Sequence, residues 1–293
     1  MMETTTLDRL AYREATRREW REAAAGWRRW FATLEAPDAM PQVGRVLVEQ
    51  ARVRPGHRVL DVGAGYGEPG LSLLRAVSPG GEVLLQDLSG DMLAFARDRA
   101  EWVDLRDVDV HYLEGDVEEL DLEDLSLDAI VSRSVIMYLV DPAGTLARLR
   151  SHLRPGGRLA ASVWAAPERV GFAAPVSLIR GILELPPPPA GSPGLFALSD
   201  EPGLEEVVAE AGYEDVTTGA VTTVFEFASA ERATAFLREC APPVTALVEG
   251  HPADVQQDVW SRVTEEAWAP FVGDDGRVRL PNEALWVAAT NPG

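Results

Sequence analysis

The sequence predicts an α/β protein whose mostly parallel sheet is doubly wound, and three observations lead to this prediction. Short apolar runs alternate with helical segments between about residue 40 and residue 165. The first apolar run ends in a loop with three glycines at alternate positions, "GAGYG" (63–67). Two further strand-like runs near the end of the chain bring the predicted sheet to seven strands. Strands separated by helices pair in parallel through right-handed crossovers, and the helices then cover both faces of the sheet.

The central part of the chain supplies five of these strands. Each run is rich in aliphatic residues and is bounded by turn-forming residues. We predict strands at 57–63, 82–88, 110–116, 127–134 and 158–164. Helical periodicity predicts helices at 41–53, 69–77, 90–103 and 142–153. We therefore expect residues 41–165 to form a Rossmann-like core.

The segment before this core is amphipathic. From Leu7 to Leu34, aliphatic and aromatic residues recur at three- and four-residue spacing with Arg and Glu between them, a pattern typical of an amphipathic helix or helix pair. One interpretation is a helix that packs on the domain. The other is a lid, residues 1–40, that closes over a bound small molecule.

The alternation of strands and helices breaks after residue 165. The stretch "LPPPPAGSPG" (185–194) is stiff and cannot form an interior helix or a central strand. Beyond it we predict a helix at 202–212, a strand at 216–229, helices at 231–249 and 253–269, and a last strand at 283–290. Residues 166–293 would complete the sheet, with substrate-capping insertions at about 166–200 and 230–270.

Composition and charge exclude several classes of partner. The formal net charge is −20 at pH 7, and so acidic a surface repels nucleic acids and anionic membranes. The single Cys240 excludes an intramolecular disulfide and a Cys-rich metal site. No clustered metal-ligand spacing occurs, so we expect no bound metal. Because the chain shows neither an N-terminal apolar h-region nor a run of ~20 apolar residues, we expect a soluble cytoplasmic protein.

The glycine-rich loop is the strongest local indication of a ligand site. Such a turn between a strand and a helix presents free backbone N–H groups and lets a ligand approach closely. A dinucleotide fingerprint requires a third glycine where this chain has Glu68. A phosphate-binding P-loop requires a Lys, and this sequence contains none. Asp61 and Glu68 would repel a pyrophosphate. These residues favour a ligand that carries positive charge and no phosphate.

Two acidic residues farther along the chain point to an adenosine. Asp87 ends the second apolar run, where a carboxylate can accept hydrogen bonds from both ribose hydroxyls. The alternative role, capping the next helix, is better served by Ser89. Asp116 ends the third run in the same crevice, and its carboxylate can accept from an exocyclic amine while the Val117 N–H donates to a ring nitrogen. A simple turn role for Asp116 is the competing interpretation.

Taken together, four motifs in this order resemble class I S-adenosylmethionine-dependent methyltransferases. They are "VLDVGAGYG" (59–67), "LLQDLSGDML" (84–93), "EGDV" (114–117) and "LRPGG" (153–157), and the resemblance covers about residues 40–165. The framing of the fourth and fifth strands is similar to quinone-biosynthesis C-methyltransferases and to small-molecule methyltransferases of bacterial secondary metabolism. The resemblance also implies that the last strand lies antiparallel beside the fifth.

The resemblance assigns roles to individual residues of a site for S-adenosylmethionine, which becomes S-adenosylhomocysteine after transfer. Backbone at the three loop glycines would face the methionine part of the cofactor. Asp61 and the Ser132 carbonyl would lie near its ammonium group, and Leu88 and Met92 would pack on the adenine. The residues assigned to the cofactor are therefore Asp61, Gly63, Gly65, Gly67, Asp87, Leu88, Met92, Asp116, Val117 and Ser132. Tyr66 departs from the family, which has a small residue or Thr there, and its ring would narrow the cofactor entrance.

Residues for the methyl acceptor are less defined. Tyr12, Trp27 and Trp164 could line an apolar pocket for an aromatic, polyketide-like or quinone-like molecule, although aromatic residues at helical spacing also serve as core. Histidines are the obvious candidates for a general base, and His251, in the predicted cap, is the one with a route to the site. Tyr138 and Arg133, just past the fourth strand, are further catalytic candidates and lie nearer the site by topology, with packing as the competing role.

Three functions are compatible with the sequence. The first is methyl transfer from S-adenosylmethionine to the O, C or N atom of a small acceptor, by in-line displacement. The second is an enzyme that keeps this cofactor but catalyses a cyclisation or rearrangement in secondary metabolism. The third, a non-catalytic binding module, is disfavoured because the glycines, Asp87 and Asp116 are intact. A dehydrogenase is disfavoured by Glu68.

Overall fold

A computed structural model describes residues 8–103, 107–119, 122, 126–189 and 191–293. Leu7, the expected start of the first helix, and Ala190, within the proline-rich stretch, lie outside the described residues.

The described strands form one seven-stranded sheet, in the order β3-β2-β1-β4-β5-β7-β6. The strands are β1 (Arg58–Val62), β2 (Gly81–Asp87), β3 (Val108–Glu114), β4 (Leu127–Arg133), β5 (Leu153–Trp164), β6 (Glu214–Phe227) and β7 (Val278–Thr290). Strands β1 to β5 pair in parallel, whereas β7 runs antiparallel to both β5 and β6. This confirms the doubly wound, mostly parallel fold and the antiparallel position of the last strand.

The α-helices cover both faces of this sheet. Within the described residues they are α1 (Arg9–Arg29), α2 (Phe31–Leu34), α3 (Met40–Ala51), α4 (Gly70–Val77), α5 (Gly90–Ala100), α6 (Pro142–Arg150), α7 (Ala173–Ile182), α8 (Glu201–Glu210), α9 (Ala230–Cys240), α10 (Pro242–Thr245) and α11 (Ala253–Arg262). Because the central strands are covered on both sides, β1 and β4 are buried along nearly their whole length. None of the described helices combines the length and apolar character needed to cross a bilayer.

The N-terminal segment forms one long helix and a short one. The Asp8 side chain caps α1 by accepting a hydrogen bond from the Ala11 N–H. A Cβ atom added at Gly26 would lie 2.1 Å from the Glu239 carbonyl oxygen, so this glycine allows α1 to pack tightly against α9. The segment therefore spans from the core to the cap.

Element boundaries differ from the predictions where backbone pairing or proline intervenes. The helix predicted at 142–153 ends at Arg150, because Leu153 already pairs with Leu127 as β5 begins. The helix predicted at 231–249 ends at Cys240, just before Pro242 and Pro243, which cannot continue its hydrogen bonding. Helix α7 lies in a region where we predicted no helix, since the neighbouring prolines dominated the local pattern.

Candidate active site

A cavity opens at the carboxyl edge of the sheet. Its floor is made by the loops that follow β1 to β4, and its cover by α1, α9 and α10. Counting its opening to solvent, the cavity encloses about 1620 Å³.

The two ends of the cavity differ in chemistry. The polar end lies at the loops after β1, β2 and β3 and contains the carboxylates of Glu68, Asp87, Asp116 and Glu118. The aromatic end lies beside β5, β6, α9 and α10. Its lining residues are Trp164, Phe172, Leu195, Phe225, Phe236, Leu237, Cys240, Ala241, Pro243 and Val244.

The three loop glycines serve different purposes. Gly65 has a φ of +53°, and no atom lies within 4 Å of the position of an added Cβ, so its backbone faces open space in the cavity. Gly63 also lines the cavity, and a Cβ there would lie 2.2 Å from Val135. Gly67, at φ +100°, packs instead on Leu71 and is not part of the cavity wall. The structure thus does not bring Gly67 to the expected ligand position.

Asp61 and Ser132 also lie behind the cavity wall rather than in it. The Asp61 side chain is fully buried, and its Oδ2 accepts a 2.7 Å hydrogen bond from the Gly70 N–H at the start of α4. Burial raises the pKa of Asp61 to about 8. The Ser132 hydroxyl donates to the Val62 carbonyl at 3.1 Å. Both side chains hold the strands and the loop in place. Asp61 Oδ1 lacks a partner among the described residues, and the expected proximity of Asp61 and the Ser132 carbonyl to an ammonium group stays a prediction.

Asp87 lines the polar end and organises the glycine loop. Its Oδ2 accepts from the Gly65 N–H and its Oδ1 from the Ser89 N–H, both at 2.8 Å. A carboxylate offers about four acceptor sites, so acceptor capacity is left for a ligand. Burial raises the pKa of Asp87 to about 6, and the group is ionised at neutral pH. Ser89, as expected, caps α5 through the Met92 N–H.

The loop after β3 lies next to Asp87 and is partly covered by α1. Asp116 Oδ1 accepts from the Glu118 N–H at 2.9 Å, and its Oδ2 lies 3.7 Å from Arg13 Nε on α1. Val117, Leu88 and Met92 line the same end of the cavity. The residues expected around an adenosine are therefore brought together on adjacent loops.

Tyr66 lies beneath α1 rather than across an entrance. Its side chain is 1% exposed, and its ring packs against Trp27 and Phe31 with centroid distances of 5.6 and 5.8 Å. The Tyr66 hydroxyl donates to Glu35 Oε1 at 2.6 Å and accepts from Arg133 Nη2 at 2.7 Å. Sequence reasoning missed this cluster, because Glu35 and Arg133 show no shared motif.

Arg133 lines the cavity, but its chemistry excludes a role as a base. Burial acts to lower the pKa of the guanidinium, and the neighbouring Tyr66, Glu35 and Glu68 outweigh this effect and raise it. A group with so high a pKa stays protonated and accepts no proton from a substrate.

The aromatic end is lined by packed rings. Phe172 and Phe236 stack with centroids 5.8 Å apart, and Phe225 packs against Phe172 at 5.1 Å. Trp164 lies 6.5 Å from Phe172. Trp27 closes the cavity from α1, where its Nε1 donates to the Cys240 carbonyl at 3.0 Å.

Three hydroxyl groups lie between the two ends. Tyr138 lines the cavity, and its hydroxyl makes no hydrogen bond to the described part of the chain. Burial raises the pKa of this phenol. Ser134 has a φ of +60°, uncommon for a residue other than glycine, and its buried Oγ lacks a partner among the described residues. Tyr12 also lines the cavity, and its hydroxyl donates to the Tyr138 carbonyl at 3.2 Å.

His251 is not brought into the cavity. It lies after α10, outside the residues that form the wall, and its carbonyl accepts from Gln256 Nε2 at 2.8 Å. Helix α9 of the cap contributes Phe236 to the cavity wall, whereas His251 lies outside that wall. The structure thus offers no support for His251 as a base.

The hydrogen-bonding groups at the polar end fit S-adenosylmethionine. Open space faces the Gly65 backbone, and the Asp87 carboxylate retains acceptor capacity. The arginines beside the glycine loop are already paired: Arg99 with Glu68, and Arg133 with the Tyr66 hydroxyl. These groups therefore suit an adenosine without phosphate.

The chain is similar in sequence to known proteins. The family described as a methyltransferase domain matches residues 60–161. The ubiquinone/menaquinone biosynthesis C-methyltransferase UbiE of Vibrio campbellii is 31% identical over 185 residues, which covers 58% of this chain and 70% of that protein. A 37.1 kDa protein of transposon TN4556 from Streptomyces fradiae is 39% identical over 126 residues, 43% of this chain and only 35% of that protein.

Solved structures share the fold. Phosphoethanolamine N-methyltransferase 2 of Haemonchus contortus, solved with phosphomonomethylethanolamine and S-adenosylhomocysteine, has a TM-score of 0.58 and 20% identity, over 96% of this chain and 60% of that chain. The (4+2)-cyclase SpnF has a TM-score of 0.51 and 19% identity, over 87% of this chain and 82% of that chain.

The fold, the site and these relatives define the class of the protein. The chain belongs to the class I S-adenosylmethionine-dependent methyltransferases, and S-adenosylmethionine is its cofactor. Within that class it resembles the UbiE-type enzymes.

Proposed function

We propose that this methyltransferase acts on a small, largely apolar acceptor of aromatic, polyketide-like or quinone-like structure. One observation carries the proposal: the polar end and the aromatic end belong to one cavity. An acceptor stacked among Trp164, Phe172 and Phe236 would lie next to a donor held at Gly65 and Asp87. The relationship to UbiE, whose name describes C-methylation in quinone biosynthesis, supports the same acceptor class.

The residues at the polar end would hold the donor. Asp87 would accept hydrogen bonds from the ribose hydroxyls, while Asp116 and the Val117 N–H would recognise the adenine edge, against Leu88 and Met92. When bound, the cofactor supplies a methyl group on a positively charged sulfur that leaves as a neutral thioether. The protein therefore needs no acid for the leaving group, and alignment of donor and acceptor accounts for much of the acceleration.

The aromatic end would exclude water and fix the plane of the acceptor. Among the described residues that line it, none is a histidine or a carboxylate. Since burial raises the pKa of Tyr138, this phenol is protonated at neutral pH and would donate a hydrogen bond to an acceptor oxygen. We infer that the acceptor contributes its own acidic hydroxyl or electron-rich carbon as the nucleophile, with Tyr138 as its positioning partner.

Residues 9–34 would act as a lid. They cover both ends of the cavity, since α1 contacts the loop after β3 through Arg13 and the cap through Trp27. Such a cover would exclude water once both molecules are bound.

Transfer can be tested with labelled donor. The protein would be incubated with methyl-labelled S-adenosylmethionine and a panel of phenols, hydroquinones and hydroxynaphthoates, matched in size to aliphatic amines. We expect S-adenosylhomocysteine and a labelled product only with the planar, hydroxylated members. Turnover confined to the amines would contradict the acceptor assignment.

A cyclisation is the second candidate, favoured by one feature of the site. An apolar end without an acid or a base suits a rearrangement that needs only a fixed substrate shape. The same experiment separates the two functions: a cyclase would convert its substrate to an isomer of equal mass without forming S-adenosylhomocysteine.

A further inference from the structure

A buried cluster joins the glycine loop to the segment that covers the cavity. The Tyr66 hydroxyl lies between Glu35, which follows α2, and Arg133, which ends β4, with hydrogen bonds of 2.6 and 2.7 Å. The Glu35 and Arg133 side chains are 20% and 5% exposed, and their closest direct approach, Arg133 Nη1 to Glu35 Oε1, is 4.0 Å. The phenol therefore bridges an ion pair that is otherwise at the limit of contact.

This cluster places a positive charge in the wall of a cavity that takes a cation. Both Arg133 and Tyr66 line the cavity together with Gly63 and Gly65. The donor carries a sulfonium charge, whereas its product, S-adenosylhomocysteine, has a neutral thioether at the same atom. In the low dielectric of a buried site, like charges repel over many ångströms. An Arg133 without a counter-ion would disfavour the donor and not the product.

The neighbouring carboxylates are committed elsewhere. Glu68 pairs with Arg99 at 2.9 Å. Asp61 Oδ2 accepts from the Gly70 N–H at 2.7 Å, and burial raises the pKa of this carboxyl to about 8, which disfavours its charge. Within the described residues, Glu35 is the carboxylate that lies within 4.0 Å of the Arg133 guanidinium.

We propose that Glu35, acting through Tyr66, neutralises Arg133 and thereby sets the preference of the cavity for the charged donor over the uncharged product. Glu35 and Tyr66 are positioning residues in this role, because they act through Arg133. The proposal rests on the cofactor and not on the identity of the acceptor.

The test measures discrimination between two ligands that differ at one charged atom. Glu35→Gln keeps an oxygen that can accept from the Tyr66 hydroxyl and removes the negative charge. Calorimetric titration of the wild type and the variant with S-adenosylmethionine and with S-adenosylhomocysteine gives the ratio of the two Kd values. We expect this ratio to shift against the charged donor by about tenfold, as for a unit charge roughly 10 Å away at an effective dielectric constant of ~20.

Tyr66→Phe supplies a second variant, because it keeps the packed ring and removes the bridging hydroxyl. We expect the same direction of change. Glu239→Gln is the matched control: this carboxylate also binds the N-terminal segment, through Trp30 Nε1 at 2.9 Å and Arg29 Nη1 at 2.8 Å, and makes no contact with Arg133. Its ratio should equal that of the wild type.

The outcome separates charge from packing. A merely structural role would weaken the binding of both ligands by the same factor. An unchanged ratio of the two Kd values in Glu35→Gln would therefore overturn the proposal, whether both affinities fall together or neither changes. Loss of all binding in both Glu35→Gln and Tyr66→Phe would overturn it as well, since the cluster would then be needed for the fold of the site.

Discussion

The polar end and the aromatic end of the cavity are built in opposite ways. The polar end comes from the loops after β1, β2 and β3, and its main groups, Gly65, Asp87 and Asp116, lie at or just after the carboxyl end of a strand. The aromatic end is assembled from distant segments, with Trp164 on β5, Phe225 on β6 and Phe236 on α9. The polar end is therefore a property of the core and suits a constant cofactor. The aromatic end depends on the insertions and suits a variable acceptor.

The largest effect should come from the carboxylate of the polar end. Asp87→Asn removes the charge that would accept from two ribose hydroxyls, each charged hydrogen bond contributing about 1.5–3 kcal/mol. We expect donor affinity to fall about a hundredfold in calorimetry, with little change in the acceptor KM. Asp91→Asn, on the same α5 but outside the cavity wall, is the matched control. Equal affinity of Asp87→Asn and wild type would refute the ribose assignment.

The second effect is a pH dependence of the affinity for the methyl donor. The pKa of Asp87 is raised to about 6 by burial, so the carboxylate is ionised above this pH and becomes protonated below it. Donor affinity should fall by up to about tenfold per pH unit as the pH drops below 6. The titratable groups at or beside the aromatic end, Tyr138 and Cys240, have raised pKa values and stay neutral. Titration between pH 5 and 8 should give a flat profile for Asp87→Asn; a slope that persists in this variant would assign the titration to another group.

A smaller effect should appear between the two ends. Tyr138→Phe removes the hydroxyl proposed to orient the acceptor, and one neutral hydrogen bond is worth about 0.5–1.5 kcal/mol. We expect kcat to fall by up to about tenfold while the donor Kd is unchanged. Tyr213→Phe, which removes a hydroxyl that donates to the Leu146 carbonyl outside the cavity, should leave kcat unaltered. A changed donor Kd in Tyr138→Phe would place this side chain at the polar end instead.

The smallest effect should come from the aromatic wall. Phe172→Leu removes part of the stacking surface, and a loss of roughly 1 kcal/mol of apolar contact should raise the acceptor KM about fivefold. Phe227→Leu is its control, since Phe227 packs on Phe236 at 5.1 Å but does not line the cavity. Steady-state kinetics with the best acceptor of the panel would compare the two. A rise in the donor KM alone would contradict the division of the cavity.

The sequence predicted the core well because its information is local. The apolar runs identified all seven strands, and the strand order places Asp87 and Asp116 on adjacent loops at one edge. The carboxyl ends of parallel strands must meet there, so position in the sequence was enough to predict position in space. Gly65 shows the same logic, because an alternate-glycine turn after a strand predicts a backbone open to a ligand.

The rest was decided by tertiary structure. Gly67 and the Asp61 side chain belong to motifs near the ligand, yet the fold packs both against α4, which no periodicity reveals. His251 belongs to the insertion predicted to cap the site, but the turn after α10 places it outside the cavity wall. The Glu35–Tyr66–Arg133 cluster joins three segments through hydrogen bonds that depend on side-chain direction. Thus the sequence by itself determined the strands, the glycine loop and the acidic residues that follow it, since these depend on local chain chemistry. Only the packing of α1, α9 and α10 over the sheet decided which side chains share the cavity, because that choice depends on contacts between residues far apart in the chain.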